Sequence, residues 1–452
     1  MQKPVANPVL PPVRPFDVTS ATVLRLALPM TIAYLTTPVL GLVDTAVVGR
    51  LNDAALMGGL AVGAVVMDLV FATFNFQRSG TTGLAAQAAG AQDHDEIRNV
   101  LARALAVSVG AGLLLLALSP LLLWTAMKLM APGTAVAAAA TSYFMIRIIG
   151  APFALSNYAV LGWLTGLGRT GIALLVQLIL NGFNIALSIW LGLTLGWGIA
   201  GVAFATVLAE ILATVIGLVI CHLVLGRYEF PAWRAVLDPQ QLLRLANLNA
   251  DIMLRSFLLL LAFALFTMQG SKFGETQLAA NAVLMHFFLI GGYFLDGLAT
   301  AAEQVTGRAI GARYRPAFLR GLWLTLFWDV LLAAALSAFF MVFGNALVAL
   351  ITTLDSVRES AATWLVYAAL TPLTGVLAFL MDGVFIGSTW SRTMSRMMVL
   401  SFAAYCVALQ VLIPPLGNAG LWLALHVFLV VRGLSLSLRV APLLARTFPP
   451  VR

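Results

Sequence analysis

Twelve long apolar runs, separated by glycine, proline and charged residues, follow one another along the chain. Each run is long enough for a membrane-spanning helix, which needs about 20 mostly apolar residues. Continuous stretches such as the four leucines at 113–116 do not show the alternating polarity of a β-barrel strand. The pattern predicts an all-α polytopic membrane protein with helices at 23–48, 56–79, 100–127, 136–164, 172–195, 199–225, 252–269, 278–303, 318–351, 361–386, 394–413 and 419–438.

Composition supports this class. Of the 452 residues, 61% are hydrophobic and 10% are charged, and the mean hydropathy is +0.98. Soluble proteins contain about 25% charged residues. So few charges cannot cover a water-exposed surface, which excludes a soluble enzyme. It also excludes a nucleic-acid partner, despite the net charge of +8. The lipid bilayer is the expected environment.

The second half of the sequence repeats features of the first half at a nearly constant distance. Residues 49–53 resemble 271–275 at an offset of 222, and Gly90-Ala91 corresponds to Gly311-Ala312 at an offset of 221. The repeat predicts two pseudo-symmetric six-helix bundles that enter the membrane from the same side. We expect a tail at 1–22, an N-terminal lobe at 23–225, a linker at 226–249, a C-terminal lobe at 250–440 and a tail at 441–452.

The distribution of basic residues predicts the orientation. Of the 26 Lys and Arg residues, 19 (Arg432 among them) are assigned to the side of both termini and 4 to the opposite loops. Cytoplasmic loops carry the excess of Lys and Arg. Both termini, and with them the linker, are therefore predicted to be cytoplasmic, in a multi-pass protein of the bacterial inner membrane.

Asp44 is an acid inside the first apolar run, with no basic residue within one helical turn. A carboxyl group in apolar surroundings can hold a proton and exchange it for a cationic ligand. The alternative is a structural acid that is hydrogen-bonded to a neighbouring helix. The same helix contains Pro29 and Pro38, which predict either a fixed kink or a hinge coupled to Asp44.

Predicted helices 4, 5 and 6 add further polar residues to the first half. On helix 5 the spacings of 4, 3 and 4 place Gln177, Asn181, Asn184 and Ser188 on one face. Such a stripe either joins helices or lines a polar cavity. Gln177, Asn181 and Asn157 of helix 4 are candidates for a substrate cavity, while Thr206 and Glu210, one turn apart on helix 6, are candidates for cation or proton coupling.

In the second half, Asp296 and Glu303 are seven residues apart on one helical face, and Asp382 lies in helix 10. These three acids are candidates for a second coupling site. Asp68 and Asp329 have no comparable context and are interpreted as structural or interfacial acids. The chain contains no phosphate-binding loop, no zinc-protease motif and no serine-hydrolase elbow, which weakens the case for an intramembrane enzyme.

The chain resembles the multidrug and toxic compound extrusion (MATE) family of transporters, and within it the DinF branch. The resemblance lies in segments that run from helix 1 to helix 12: VDTAVVG (43–49), LNADIMLRS (248–256), NAVLM (281–285), LDG (295–297), DGVFIG (382–387) and LWLAL (421–425). It implies two six-helix lobes around a central cavity, and secondary antiport in which a compound leaves as protons or sodium ions enter. It also implies that Asp44 is linked to the cation and that Pro29 bends helix 1.

The resemblance further implies a cation network that contains Asn184 and Thr206, so that Na⁺ would bind at Asp44, Asn184 and Thr206. The aspartate that the family has on helix 5 corresponds to Ser188, which is a departure. Sodium prefers hard oxygen ligands. Because a neutral serine weakens such a site, we expect proton coupling rather than sodium coupling. Asp382 corresponds to a cation-binding acid of the NorM branch.

We therefore predict a secondary multidrug efflux antiporter that exports amphipathic, cationic, drug-like small molecules in exchange for protons. It needs no cofactor besides the coupling ion, H⁺ or alternatively Na⁺, and is expected to be a monomer. A flippase for a lipid-linked precursor is the alternative within transport, and an intramembrane enzyme is the more remote one.

Overall fold

The computed structural model describes residues 13–51, 53–226, 236 and 238–449. In this part of the chain, twelve helices are long and apolar enough to cross a membrane. They are α1 (Ser20–Gly49), α2 (Ala54–Ala91), α3 (His94–Met130), α4 (Thr134–Gly166), α5 (Thr170–Thr194), α6 (Gly198–Leu225), α7 (Pro239–Phe273), α8 (Glu275–Gly311), α9 (Arg315–Ile351), α10 (Asp355–Gly387), α11 (Ser391–Leu416) and α12 (Asn418–Thr447).

The predicted all-α fold with twelve spans is confirmed, but most helices extend beyond their apolar runs. Helix α3 begins at His94, whereas its apolar run begins at Val100. Its first turn is polar and is capped by Asp93, whose carboxylate accepts a hydrogen bond from the Glu96 amide at 2.9 Å. Capping of this kind satisfies free backbone donors outside the apolar zone, so hydropathy alone underestimates helix length.

Helix ends also differ from the predicted domain limits. Helix α7 begins at Pro239 after the cap residue Asp238, so residues 239–249 of the predicted linker are helical. Residues 20–22 of the first tail belong to α1, and α12 continues through the second tail to Thr447. Residues 1–12, 227–235, 237 and 450–452, which include most of both tails and of the linker, lie outside the described residues. We call α1–α6 the N half and α7–α12 the C half.

The two halves contact each other at the end of the bundle where both termini lie. Helix α8 packs against α1 and α2 there. A Cβ atom on Gly90 would lie 2.0 Å from the Arg308 carbonyl oxygen, and one on Gly311 would lie 1.9 Å from the Gln87 carbonyl oxygen. The Gln87 side chain also donates to the carbonyl of Gly387 at 3.0 Å. The contact is a backbone-to-backbone approach that only glycine permits.

The outer faces of the helices are apolar and exposed. Large side chains such as Leu42, Leu129, Leu350 and Leu438 are between 70% and 83% exposed. In water such a surface would drive aggregation, whereas in a membrane it is covered by lipid. The exposed Trp124 ring at the end of α3 carries the Lys128 ammonium 4.9 Å from its centroid. Tryptophan and lysine are typical of the membrane–water boundary.

Helix α1 runs without a break through Pro29 and Pro38. A proline at position 29 leaves the carbonyl of Arg25, four residues earlier, without its helical donor. The Thr170 hydroxyl at the start of α5 donates to this carbonyl at 3.1 Å. The first proline of α1 is therefore held by α5. The hinge role of the two prolines stays a prediction.

We expect Gly311→Ala to lower the free energy of unfolding by about 1–3 kcal/mol, because the added methyl group must displace the Gln87 carbonyl. Gly110→Ala, in α3 with nothing within 4 Å, is the matched control and should be neutral or slightly stabilising. Thermal unfolding of both variants in detergent measures the difference. Equal midpoints would show that the halves are not in close contact at this end.

Candidate functional site

A cavity of about 260 Å³ lies between the halves, on the far side of their contact from the termini. Side chains of α1, α2, α7, α8, α10 and α12 line it. Three arginines and three acids face it, together with several aromatic rings; the charged residues are Arg78, Arg255, Arg432, Asp296, Glu303 and Asp382. Charge at this depth is rare and marks a functional site.

Asp382 is the centre of the C-half wall. Arg255 of α7 and Arg432 of α12 both donate to its Oδ2 atom, so one carboxylate joins three helices. The side chains are 13%, 3% and 10% exposed for Arg255, Arg432 and Asp382. The assignment of Arg432 to the cytoplasmic side is wrong, because it is buried in the middle of α12. Its position within an apolar run was the signal for a partnered intramembrane charge.

The other two acids of the C half lie on α8. Asp296 is exposed to the cavity, and its carboxylate has no hydrogen bond or ion pair to any described residue. Glu303, two turns further, is 3% exposed, and its Oε1 atom has no hydrogen-bond partner there. The structure thus brings all three predicted second-lobe candidates to one cavity, in three different environments.

The N-half wall is connected to the C half by a short hydrogen-bonded series. The Arg78 guanidinium of α2 donates to the Tyr34 hydroxyl of α1 at 2.7 Å and lies over the Tyr34 ring. The Tyr34 hydroxyl in turn lies 2.9 Å from the Thr300 hydroxyl of α8. The series joins α1, which carries Asp44, to α8, which carries Asp296.

Asp44 lies deeper in the N half and is 8% exposed. Its Oδ1 atom is 2.8 Å from the Ser188 hydroxyl, which also lies 3.0 Å from Oδ1 of Asn184. Ser188 and Asn184 are fully buried. The structure therefore places three of the predicted coupling residues in one network between α1 and α5.

Glu210 of α6 is paired with an arginine and does not contact this network. Arg147 of α4 donates to its Oε1 atom at 3.0 Å, and both side chains are less than 10% exposed. The Asn157 amide donates to the Glu210 backbone carbonyl at 3.0 Å. Thr206, one turn earlier on α6, donates to its own helix at Val202 and is 7% exposed.

The predicted cavity residues of α5 contact α1. Gln177 donates to the Asn181 side chain at 3.1 Å, and Asn181 donates to the Thr36 hydroxyl at 2.8 Å. These bonds join helices within the N half, as does that of Asn157. The cavity between the halves is lined by other side chains, so the place of Gln177, Asn181 and Asn157 in substrate binding stays a prediction.

Two acids that the sequence left as structural have unexpected environments. Asp68 is exposed on α2, one turn before Ala72 and two before Asn75, both of which line the cavity. That spacing, readable from the sequence, places it on the cavity-facing side of the helix. Asp329 of α9 is fully buried, and neither carboxylate oxygen has a hydrogen-bond partner among the described residues.

Twelve spans in two halves, with charged groups converging on a cavity between them, define a membrane transporter. The chain belongs to the MATE family, because the MatE family model matches residues 29–190 and again 252–412. The second match is displaced by 223 residues at its start and 222 at its end, close to the offset of the sequence repeat. Since members of this family are transporters, the intramembrane-enzyme alternative is set aside, and the chain is a MATE efflux transporter.

Named relatives agree with this assignment. The chain is 37% identical to DNA damage-inducible protein F of Escherichia coli K12 over 419 residues, which cover 91% of this chain and 90% of that protein. It is 24% identical to the probable multidrug resistance protein NorM of Chromobacterium violaceum over 445 residues, or 92% of each. A solved outward-facing multidrug resistance MATE transporter has the same fold, with a TM-score of 0.83, 21% identity and coverage of 94% and 96%.

We expect Asp382→Asn to destabilise the protein strongly, because two buried guanidinium groups would lose their shared carboxylate. Removal of one partner of a buried ion pair costs about 3–5 kcal/mol. Asp296→Asn is the matched control, since this acid of the same cavity has no such partner. Thermal unfolding in detergent compares the two. A similar midpoint for both variants would show that the Asp382 cluster is not an ion-paired link.

Proposed function

We propose that this protein exports amphipathic, cationic compounds in exchange for protons across the inner membrane of a bacterium, with both termini in the cytoplasm. It works as a monomer on drug-like small molecules. Sodium is the alternative coupling ion. The observation that carries the proposal is the environment of Asp44, a buried acid whose recorded hydrogen-bond partner is a neutral hydroxyl.

An ionised carboxylate is costly to bury without a charged partner. No basic group among the described residues lies within 4 Å of Asp44, and Ser188 offers it one neutral hydrogen bond. A bound proton removes the charge without the need for further ligands. A bound sodium ion would need several oxygen ligands, and the described residues hold no cluster of three acids, histidines or cysteines that could bind a metal ion.

Ser188 gives the N half a means to report whether Asp44 is protonated. Its hydroxyl has one hydrogen and lies within bonding distance of both Asp44 and Asn184. When Asp44 is ionised, the hydroxyl donates to it. When Asp44 carries a proton, the acid donates to Ser188, and the hydroxyl turns to the Asn184 carbonyl oxygen. Protonation thus reorganises the α1–α5 contact with no charge on α5.

The cavity supports a cationic substrate. Asp296 is its accessible charge without a partner, and Tyr293 lies one turn before it on α8. The rings of Phe263, Phe288 and Phe379 lie nearby, with Phe288 at 5.3 Å from Phe263 and 6.4 Å from Phe379. A carboxylate next to aromatic rings suits an organic cation with an apolar body.

The alternative of a lipid-linked precursor flippase is less well supported by this cavity. A pyrophosphate group would need free cationic side chains. Arg255 and Arg432 both bond to Asp382, and Arg78 bonds to Tyr34. We therefore assign the cavity to an amphipathic cation.

The contact between the halves indicates the direction of release. Because the halves meet on the side of the termini, the cavity communicates with the opposite side of the membrane. With cytoplasmic termini, that side is the periplasm. Protons enter there, Asp44 becomes neutral, the α1–α5 bonds rearrange and the substrate leaves.

We expect proton-driven uptake of a fluorescent cationic dye into everted vesicles to be lost in Asp44→Asn and in wild type treated with a proton ionophore. The amide cannot bind and release a proton in this pH range. Glu275→Gln, an exposed acid at the start of α8, is the control and should transport normally. Uptake that follows a sodium gradient and ignores the pH gradient would contradict proton coupling. Uptake that survives in Asp44→Asn would assign coupling to the acids of the C half.

We expect Asp296→Asn to raise the KM for a monocationic dye about tenfold, equivalent to about 1.4 kcal/mol. The KM for an uncharged compound of similar shape should stay the same, because the aromatic wall is intact. Transport kinetics in proteoliposomes, with Glu275→Gln as control, measure the two values. An equal rise for charged and uncharged compounds would refute a role of Asp296 in charge recognition.

A further inference from the structure

Arg147 lies among the carboxyl groups of the N half. It is bonded to Glu210 of α6 and is within electrostatic reach of Asp44 on α1 and Asp68 on α2. Three acids on three helices thus share one nearby guanidinium group. This arrangement is independent of the Asp44–Ser188 hydrogen bond, and the transport cycle described above does not use it.

The arginine is held in a fixed position. It ends the first segment of α4, immediately before a single tight turn at Ile148–Gly150. Its guanidinium lies 5.6 Å from the centroid of the Phe71 ring of α2, and its side chain is 9% exposed. An aromatic face on one side and a carboxylate on the other restrict where the charge can move.

The partner carboxylate is also fixed, but it is only half used. The Asn157 amide and the Thr214 hydroxyl both donate to the backbone carbonyl of Glu210. Its Oε2 atom would lie 2.3 Å from a Cβ on Gly150, so a glycine is needed there to make room for it. That oxygen, and Nε of Arg147, have no hydrogen-bond partner among the described residues. The pair is therefore not a saturated structural link.

We propose that Arg147 is a tethered cation that takes the place of a bound metal ion in the N half, and so leaves the proton as the cation that can bind there. The inference rests on the proposed exchange of protons and deepens it, since it names the residue that selects against sodium. A proton neutralises Asp44 by one covalent bond. A sodium ion would have to enter next to a fixed positive charge that cannot leave.

The size of this selection follows from electrostatics. A like charge held within about 6 Å, in surroundings of effective dielectric constant near 20, weakens cation binding roughly 100-fold. Without Arg147, the acids Asp44, Asp68 and Glu210 would face one another with no cation. Hard oxygen ligands of this kind, with Ser188 and Asn184 nearby, are suited to sodium.

The test is binding of radioactive ²²Na⁺ to the purified full-length protein in detergent at pH 8. Arg147→Gln should gain saturable binding that lower pH abolishes, at least tenfold tighter than in wild type. Arg147→Lys keeps the charge and should behave as wild type. Arg103→Gln is the matched control, because Arg103 is a 5% exposed arginine of the N half, paired with Glu96 at 2.6 Å at the other end of the lobe. Addition of Asp44→Asn to Arg147→Gln should remove the new binding.

If Arg147→Gln does not fold, Arg147→Gln with Glu210→Gln removes both charges of the pair, which proteins tolerate better than the loss of one. This double variant should also gain sodium binding, through Asp44 and Asp68. Wild type that binds sodium as tightly as Arg147→Gln would overturn the proposal, as would a folded variant without sodium binding. The readout needs no transport, so loss of proton-driven dye uptake would refute the exchange without affecting this result.

Discussion

The cost of charge inside an apolar bundle determines how the polar residues of this transporter are arranged. Lipid offers neither water nor counter-ions, so each buried charge must find its partner within the protein. In the C half, Asp382 is bonded to two arginines from α7 and α12. In the N half, Arg147 is bonded to Glu210, while Asp44 has a hydroxyl partner. Two halves with the same number of helices thus differ in charge compensation, and the N half retains an acid that can change its state.

The contact between the halves follows a different rule. It consists largely of backbone and small residues, with glycines at 90 and 311 that admit the opposite main chain. Close approach of this kind binds helices by dispersion and can separate without leaving ions unpaired. At its edge, the Tyr34 hydroxyl lies between Arg78 and Thr300. A displacement of α1 that begins at Asp44 would therefore reach the cavity wall on α8 through hydrogen bonds rather than through a long-range change in packing.

The sequence predicts the helices well because apolar runs report directly on lipid exposure, and all twelve are present in the structure. The two matches of the family model also agree with the sequence repeat. Helix ends are less predictable, since caps such as Asp93 extend helices into polar segments. Charge pairing is least predictable of all. Arg432 and Asp382 are 50 residues apart, and nothing local relates them. Ser188 and Asp44 were grouped by resemblance to a family, while their bond depends on how α5 packs against α1.

The serine at position 188 connects these features. A second carboxylate beside Asp44 would place two negative charges in a space with one nearby guanidinium, and one of them would need a metal ion or a proton at all times. A serine removes that requirement while it keeps a hydrogen bond to each neighbour. The N half then alternates between an ionised Asp44, partly compensated by Arg147 at a distance, and a neutral Asp44 with the serine hydroxyl turned to Asn184. Because both states satisfy their hydrogen bonds without an additional ion, a proton alone is sufficient to move the N half from one to the other.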